Sequence, residues 1–207
     1  MALNDDIAYV RAKLSAYEAA DTFQMSGASV GGSAGVPPEM FDGEIESDGW
    51  VKWKMLPSTL SEGDVCDLES ELRVKFPPLF RAYLLAAFHL FDQVRSRKYD
   101  QLIFNSDVPL HTPFDPIRDL INAWRPLPDT GFVPFAEWGD GWGPMCFDTQ
   151  QRRDDGDYPI VWMDHELIIP LGHENLAKRG AVLHFVNPLY ESYREFFEDV
   201  FSVSEES

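Results

Sequence analysis

The side chains of this 207-residue chain that could carry proton, metal or nucleophile chemistry are five histidines, two cysteines and 35 acidic residues. His89, His111, His165, His173 and His184 include no pair at the i, i+4 spacing that sets two imidazoles on one helix face for zinc. Only Asp164-His165-Glu166 places a base between carboxylates. Such a triplet could hold a metal or act as a general base, but a turn rich in Asp, His and Glu is more often a solvated hairpin end. Cys66 and Cys146 have no Cys-x-x-Cys partner and read as reduced, small core residues. No Gly-x-Ser-x-Gly marks a nucleophile elbow. Gly139-Asp140-Gly141-Trp142-Gly143 runs on into a strand rather than a helix, so it reads as a hairpin turn and not as a phosphate cradle. Paired carboxylates could do glycosidic chemistry, but among so many acids closeness in sequence carries little information. These residues predict no catalytic group, no metal site and no cofactor.

The acids say more through their number and placement. Against 17 Lys and Arg they leave a formal charge of −18, which repels phosphate backbones and anionic lipid. Nucleic acid and membrane are therefore not expected partners, and a basic protein is. The charge is concentrated: residues 1–47 hold 8 acids and 2 bases, residues 137–166 hold 8 and 2, and residues 187–207 hold 6 and 1. Within 137–166, Glu137, Asp140, Asp148, Asp154, Asp155, Asp157, Asp164 and Glu166 fall mostly at expected strand ends and turns. Hairpin geometry can gather such positions into one acidic recognition edge. Trp138 and Trp142 are the aromatic candidates for the same surface.

The elements that must position these residues follow from periodicity. Leu3, Ile7, Val10, Leu14 and Tyr17 form one apolar stripe, so residues 1–25 hold an amphipathic helix. Residues 26–49, glycine-rich at their start, read as a flexible linker or loop. From Trp50 a short strand alternates bulky and basic residues. Ser61 caps a helix whose stripe Val65, Leu68, Leu72 and Phe76 runs to Pro77, with Asp64 completing a capping box. A second helix from Pro78 carries Phe80, Tyr83, Leu84, Ala87, Phe88 and Phe91. Beyond a proline-rich stretch, strands are predicted at 132–138, 145–147, 160–163, 167–171 and 181–185. Asn187 and Pro188 then open a last helix lined by Tyr193, Phe196, Phe197 and Val200. No run approaches the roughly eighteen apolar residues of a membrane span, and Met-Ala-Leu-Asn-Asp-Asp lacks a signal-peptide pattern, so the chain is expected in the cytoplasm.

The order of several of these segments resembles the SUKH superfamily, the Smi/Knr-type domains. Leu56-Pro57, Leu60-Ser61, Leu68-Glu69 and Pro77-Pro78-Leu79-Phe80-Arg81-Ala82-Tyr83-Leu84 resemble its start. Phe135 to Asp148 is similar to its glycine-rich hairpin, Pro159 to His165 to the next strand, and Tyr193 to Phe201 to its closing helix. The family's usual Asn-Gly after the second helix is replaced here by His89-Leu90-Phe91-Asp92. The resemblance covers roughly residues 50–203, so a SUKH-like domain is expected over 50–207. It implies an α+β fold, a mainly antiparallel sheet flanked by helices, without catalytic residues. It further implies an immunity protein that neutralises a secreted polymorphic toxin, or alternatively a regulatory scaffold or adaptor for endogenous proteins. A nuclease toxin suits the acidic charge, because its cleft must be basic to hold phosphate.

Overall fold

The computed structural model describes residues 3–20, 24–28 and 35–203. It is an α+β fold in which helices cover a curled, six-stranded antiparallel sheet. Among the described residues no helix is long and apolar enough to cross a membrane.

The N-terminal helix α1 (Leu3–Ala19) uses its stripe to dock, with Val10 and Leu14 fully buried. Asp6 meets Arg194 at 3.2 Å and the Tyr9 hydroxyl donates to Glu198 at 2.8 Å, which ties α1 to the far end of the chain. Strand β1 (Met25–Gly27) pairs with β2 (Trp50–Lys52), and Val36 and Met40 are fully buried in the main core. The segment 26–49, expected to be a linker or loop, thus supplies two of the three residues of β1 and two core side chains. Its glycines permit tight turns, but Val36 and Met40 carry apolar surface that burial stabilises. Residues 29–34 of that segment lie outside the described residues.

After β3 (Leu56–Pro57), helix α2 (Glu62–Leu72) starts on the expected capping box, with Ser61 and Asp64 satisfying each other's backbone N–H groups. It stops earlier than Phe76. Arg73 takes the left-handed conformation, φ 58°, and Glu69 Oε1 accepts the Phe76 N–H at 3.0 Å, so Phe76 enters the core from extended chain. Helix α3 (Pro78–Ala86) is likewise shorter than its apolar run. Ala87 and Phe88 form β4, paired with β3, and His89 exchanges backbone hydrogen bonds with Val108. Phe88 and Phe91 are buried as expected, but from a strand and a loop, because long-range pairing outweighs helical periodicity there.

The large sheet has the order β10-β9-β8-β7-β6-β5, every pair antiparallel. Its strands are β5 (Gln93–Ser96), β6 (Gln101–Asn105), β7 (Phe132–Trp138), β8 (Pro144–Asp148), β9 (Ile160–Met163) and β10 (Val186–Tyr190). Strands β5 and β6, and helix α4 (Asp115–Ala123) after them, fall where the sequence shows only proline-rich, mixed texture. Side chains alternate between two buried faces. Met145, Phe147 and Ile160 join the main core of Phe80, Phe135, Tyr193 and Phe196, whereas Cys146, Val161 and Met163 join a second core with Ile168 and Val182. Two covered faces explain why β7 to β9 read as nearly unbroken apolar runs.

The second core is closed by residues 164–185, a helical excursion between β9 and β10. It contains α5 (His165–Ile168), α6 (Gly172–Leu176), α7 (Arg179–Val182) and intervening 3-10 turns. Strands expected at 167–171 and 181–185 are therefore helical turns. Asp164 starts the first of them by accepting the Glu166 N–H at 2.8 Å. The strand lies instead at β10, with Asn187 and Pro188 inside it, tolerated because β10 is a sheet edge. The last helix, α8 (Tyr193–Val200), is capped by Ser192, whose hydroxyl accepts the Glu195 N–H at 3.1 Å. The sheet curls until its two edge strands meet over α8: Ser96 of β5 donates to Asp199 at 2.6 Å, and the Tyr190 hydroxyl of β10 lies 2.9 Å from Ser96.

Candidate functional site

The eight acids expected on one edge do not come together. Strand β8 separates them, because its five residues run from the 139–143 hairpin to Asp148, roughly 15 Å at about 3.3 Å per residue. Glu137, Asp140, Asp164 and Glu166 belong to the hairpin end, and Asp148, Asp154, Asp155 and Asp157 to the opposite end.

At the opposite end two of the four are interior groups. Asp148 is 1% exposed and binds Arg179 Nη2 through both oxygens at 2.8 and 2.7 Å, with Gln151 Nε2 at 2.7 Å. Asp157, 6% exposed, accepts the N–H groups of Tyr158, Tyr193 and Arg194 at 2.8, 3.1 and 3.3 Å. It therefore anchors the start of α8. Burial pushes its carboxyl up from the ordinary value, against the pull of those three N–H donors. Asp154 and Asp155 are exposed, beside Arg152 and Arg153, and Asp155 lies 3.5 Å from Arg153. The two exposed acids of that end are thus matched by two adjacent arginines.

At the hairpin end the arrangement is different. Gly139 and Gly141 hold φ of 62° and 71° in the turn between β7 and β8. Gly143 has φ 133°, and a Cβ there would stand 2.1 Å from the Met163 carbonyl oxygen and 2.8 Å from the His165 nitrogen. Only glycine lets the hairpin backbone pass so close to the start of the excursion, where His165 N–H donates to the Trp142 carbonyl at 3.0 Å. This contact puts Trp142, 53% exposed, beside α5, whose Leu167 is 52% exposed, with Ile169 next in the chain at 57%. Asp140 and Glu166 are exposed and Asp164 is half-buried around them. Trp138, by contrast, is 8% exposed and packs on Tyr99 and Trp162 at ring separations of 5.4 and 6.0 Å. Glu137 is half-buried and accepts the Trp124 indole N–H at 3.2 Å. These two support the hairpin from within.

The Asp164-His165-Glu166 triplet is not assembled as a catalytic unit. Asp164 is occupied as a helix cap, and no hydrogen bond joins the His165 imidazole to either carboxylate. Among the described residues no three His, Cys, Asp or Glu side chains converge to hold a metal ion. Cys66 and Cys146 are both free thiols. Cys146 is fully enclosed, and burial pushes its pKa well above the usual range.

Leu167 and Ile169 are the members of this surface that sequence reading misses, since it assigns them to a strand. Their polar-to-apolar pattern has no clean period of two, and Pro170 and Gly172 close behind them are the available signal for a turn. Compared with models of known protein families the chain matches none, and no curated protein matches it.

Proposed function

We propose that this chain is a non-enzymatic protein-binding domain of the SUKH type. In this reading it is an immunity protein that neutralises a cognate secreted toxin, of the nuclease class, by covering its basic cleft. The observation that carries the reading is the hairpin-end face. Exposed apolar side chains occur on two elements joined by the Trp142–His165 backbone hydrogen bond, Trp142 on one and Leu167 and Ile169 on the other, with Asp140, Asp164 and Glu166 as their chain neighbours and a net charge of −18. An exposed apolar centre with an acidic rim is what a basic partner requires: buried contacts hold it, and the field speeds its capture. The order of SUKH-like segments supports the same reading, as does the α+β architecture.

The test is purification of the tagged chain from its own cells and identification of what is bound. The expected partner is a basic protein whose activity on nucleic acid is blocked by one equivalent of this chain. Trp142→Ala with Asp140→Lys and Glu166→Lys should weaken that complex by about 3 kcal/mol or more while the fold persists. Recovery of non-toxic endogenous regulators alone would place the chain among the scaffold-type members instead.

A further inference from the structure

A cleft of about 510 Å³ opens between the segment that carries β1 and β2 and the β5 side of the six-stranded sheet. Its apolar wall is aromatic: Trp50 and Trp53 come from β2 and the residue after it, and Phe91 from the chain just before β5. Trp53 and Phe91 are fixed edge to face with ring centres 5.0 Å apart, whereas Trp50 is 43% exposed. The floor is β5, which contributes Gln93, Val94 and Arg95, with Leu102 of β6 beside Arg95. Among the described residues no strand pairs with the outer edge of β5, whose Ser96 end is closed by Tyr190 and Asp199, so its open part is Gln93 to Arg95. Such an edge presents unused backbone donors and acceptors that can accept an added strand.

The mouth is acidic. Residues 42–50 are exposed throughout and include Glu44, Glu46, Asp48 and Asp42, the last paired with Lys52 at 3.4 Å. Glu46 and Asp48 line a smaller hollow of about 270 Å³ that shares Met25 and Trp50 with the cleft. Asp92 stands on the wall, where partial desolvation raises its carboxyl above the ordinary value, so a cation placed there would relieve it. Arg95 is the one cation of the lining, and its guanidinium is turned to Asp100 at 2.7 Å.

We infer that this cleft takes an extended, cationic peptide segment of a partner protein, laid along the open edge of β5 at Gln93 to Arg95 with an Arg or Lys side chain over Trp50. Three interactions combine in that pose: main-chain hydrogen bonds to β5, a cation on the indole face, and attraction from Glu46, Asp48 and Asp92. The inference rests on the reading of the chain as a protein-binding domain, but not on the hairpin-end face, which is built from other elements.

The test uses two capped hexapeptides, Arg-Val-Arg-Val-Arg-Val and Glu-Val-Glu-Val-Glu-Val, titrated against the full chain. Indole fluorescence and amide-exchange protection of Gln93 to Arg95 are the readouts. The cationic peptide should bind saturably and protect β5 amides. Trp50→Ala, or Glu46→Lys with Asp48→Lys, should weaken it at least tenfold, and Trp142→Ala should leave it unchanged. Absence of saturable binding up to about 1 mM, equal binding of the anionic peptide, or binding indifferent to Trp50→Ala would each overturn the assignment. Failure of the peptide with capture of a basic protein intact overturns the cleft alone. Peptide binding by a chain that captures no basic protein supports the cleft and removes the immunity reading.

Discussion

Arg179 and Asp148, on elements 31 positions apart in sequence, meet through one guanidinium nitrogen held 2.8 and 2.7 Å from the two carboxylate oxygens. The guanidinium also lies 4.2 Å over the Phe132 ring, and its other terminal nitrogen donates to the Thr130 carbonyl at 3.2 Å. The pair pins the 164–185 excursion to the end of the sheet remote from the hairpin, so the surface bearing Leu167 and Ile169 is held at both of its ends.

Removing the arginine alone should be costly, because it leaves the buried Asp148 charge with only Gln150 and Gln151 as partners. Arg179→Met is expected to destabilise by about 3–5 kcal/mol, and adding Asp148→Asn to recover part of that loss. Amide exchange should show faster opening across residues 165–185 than in the sheet. An unchanged melting temperature in the single variant would show that the excursion is held by its apolar contacts alone.

Asp154, Asp155 and Asp157, close in sequence, should behave as two kinds of residue. Reversing exposed Asp154 and Asp155 to Lys should change stability by less than about 0.5 kcal/mol. Asp157→Ala should cost at least about 2 kcal/mol, since three backbone N–H groups, two of them at the start of α8, lose their acceptor. Urea unfolding of the variants separates the two outcomes, and equal midpoints for all three would contradict the anchoring role.

Asp107 supplies a pH test. Burial first, and the nearby charge of Asp92 second, raise its carboxyl from the ordinary 3.8 to about 7. The folded chain therefore holds this proton more tightly than the unfolded chain. The stability it contributes is complete below about pH 4 and is lost as pH rises through about 7. Asp107→Asn should raise stability at pH 8 by an amount on the order of 2 kcal/mol and leave it nearly unchanged at pH 4. His89 works in the opposite sense. Burial lowers it from 6.5 to about 3, so its contribution grows as pH rises across that interval, and the difference between wild type and Asp107→Asn isolates the carboxyl. A gain of equal size at both pH values would assign the effect to packing instead of charge.

What local pattern can encode was legible in the chain. Ser61 and Asp64 form the capping box that their spacing announces, the glycines of 139–143 turn the hairpin, and β7, β8 and β9 stand where apolar runs mark them. Each depends on residues within a few positions of one another, or on burial so complete that it marks every residue of a strand. The α+β class follows from the same signals.

Tertiary structure decided the rest, because the deciding partner is distant in sequence. Phe88 and Phe91 continue a helical stripe on paper, but the backbone of His89 pairs with Val108 and takes them out of the helix. Asp148 and Asp157 are chemically the same as Asp154. Arg179 at one and the N-terminus of α8 at the other turn two of the three into interior anchors. Leu167 and Ile169 look like core residues until the excursion folds over the second sheet face and finds that face already filled by Ile168 and Val182. A sequence shows which side chains prefer burial or carry charge. The limited interior of the folded chain determines which of them are buried and which remain on the surface to meet a partner.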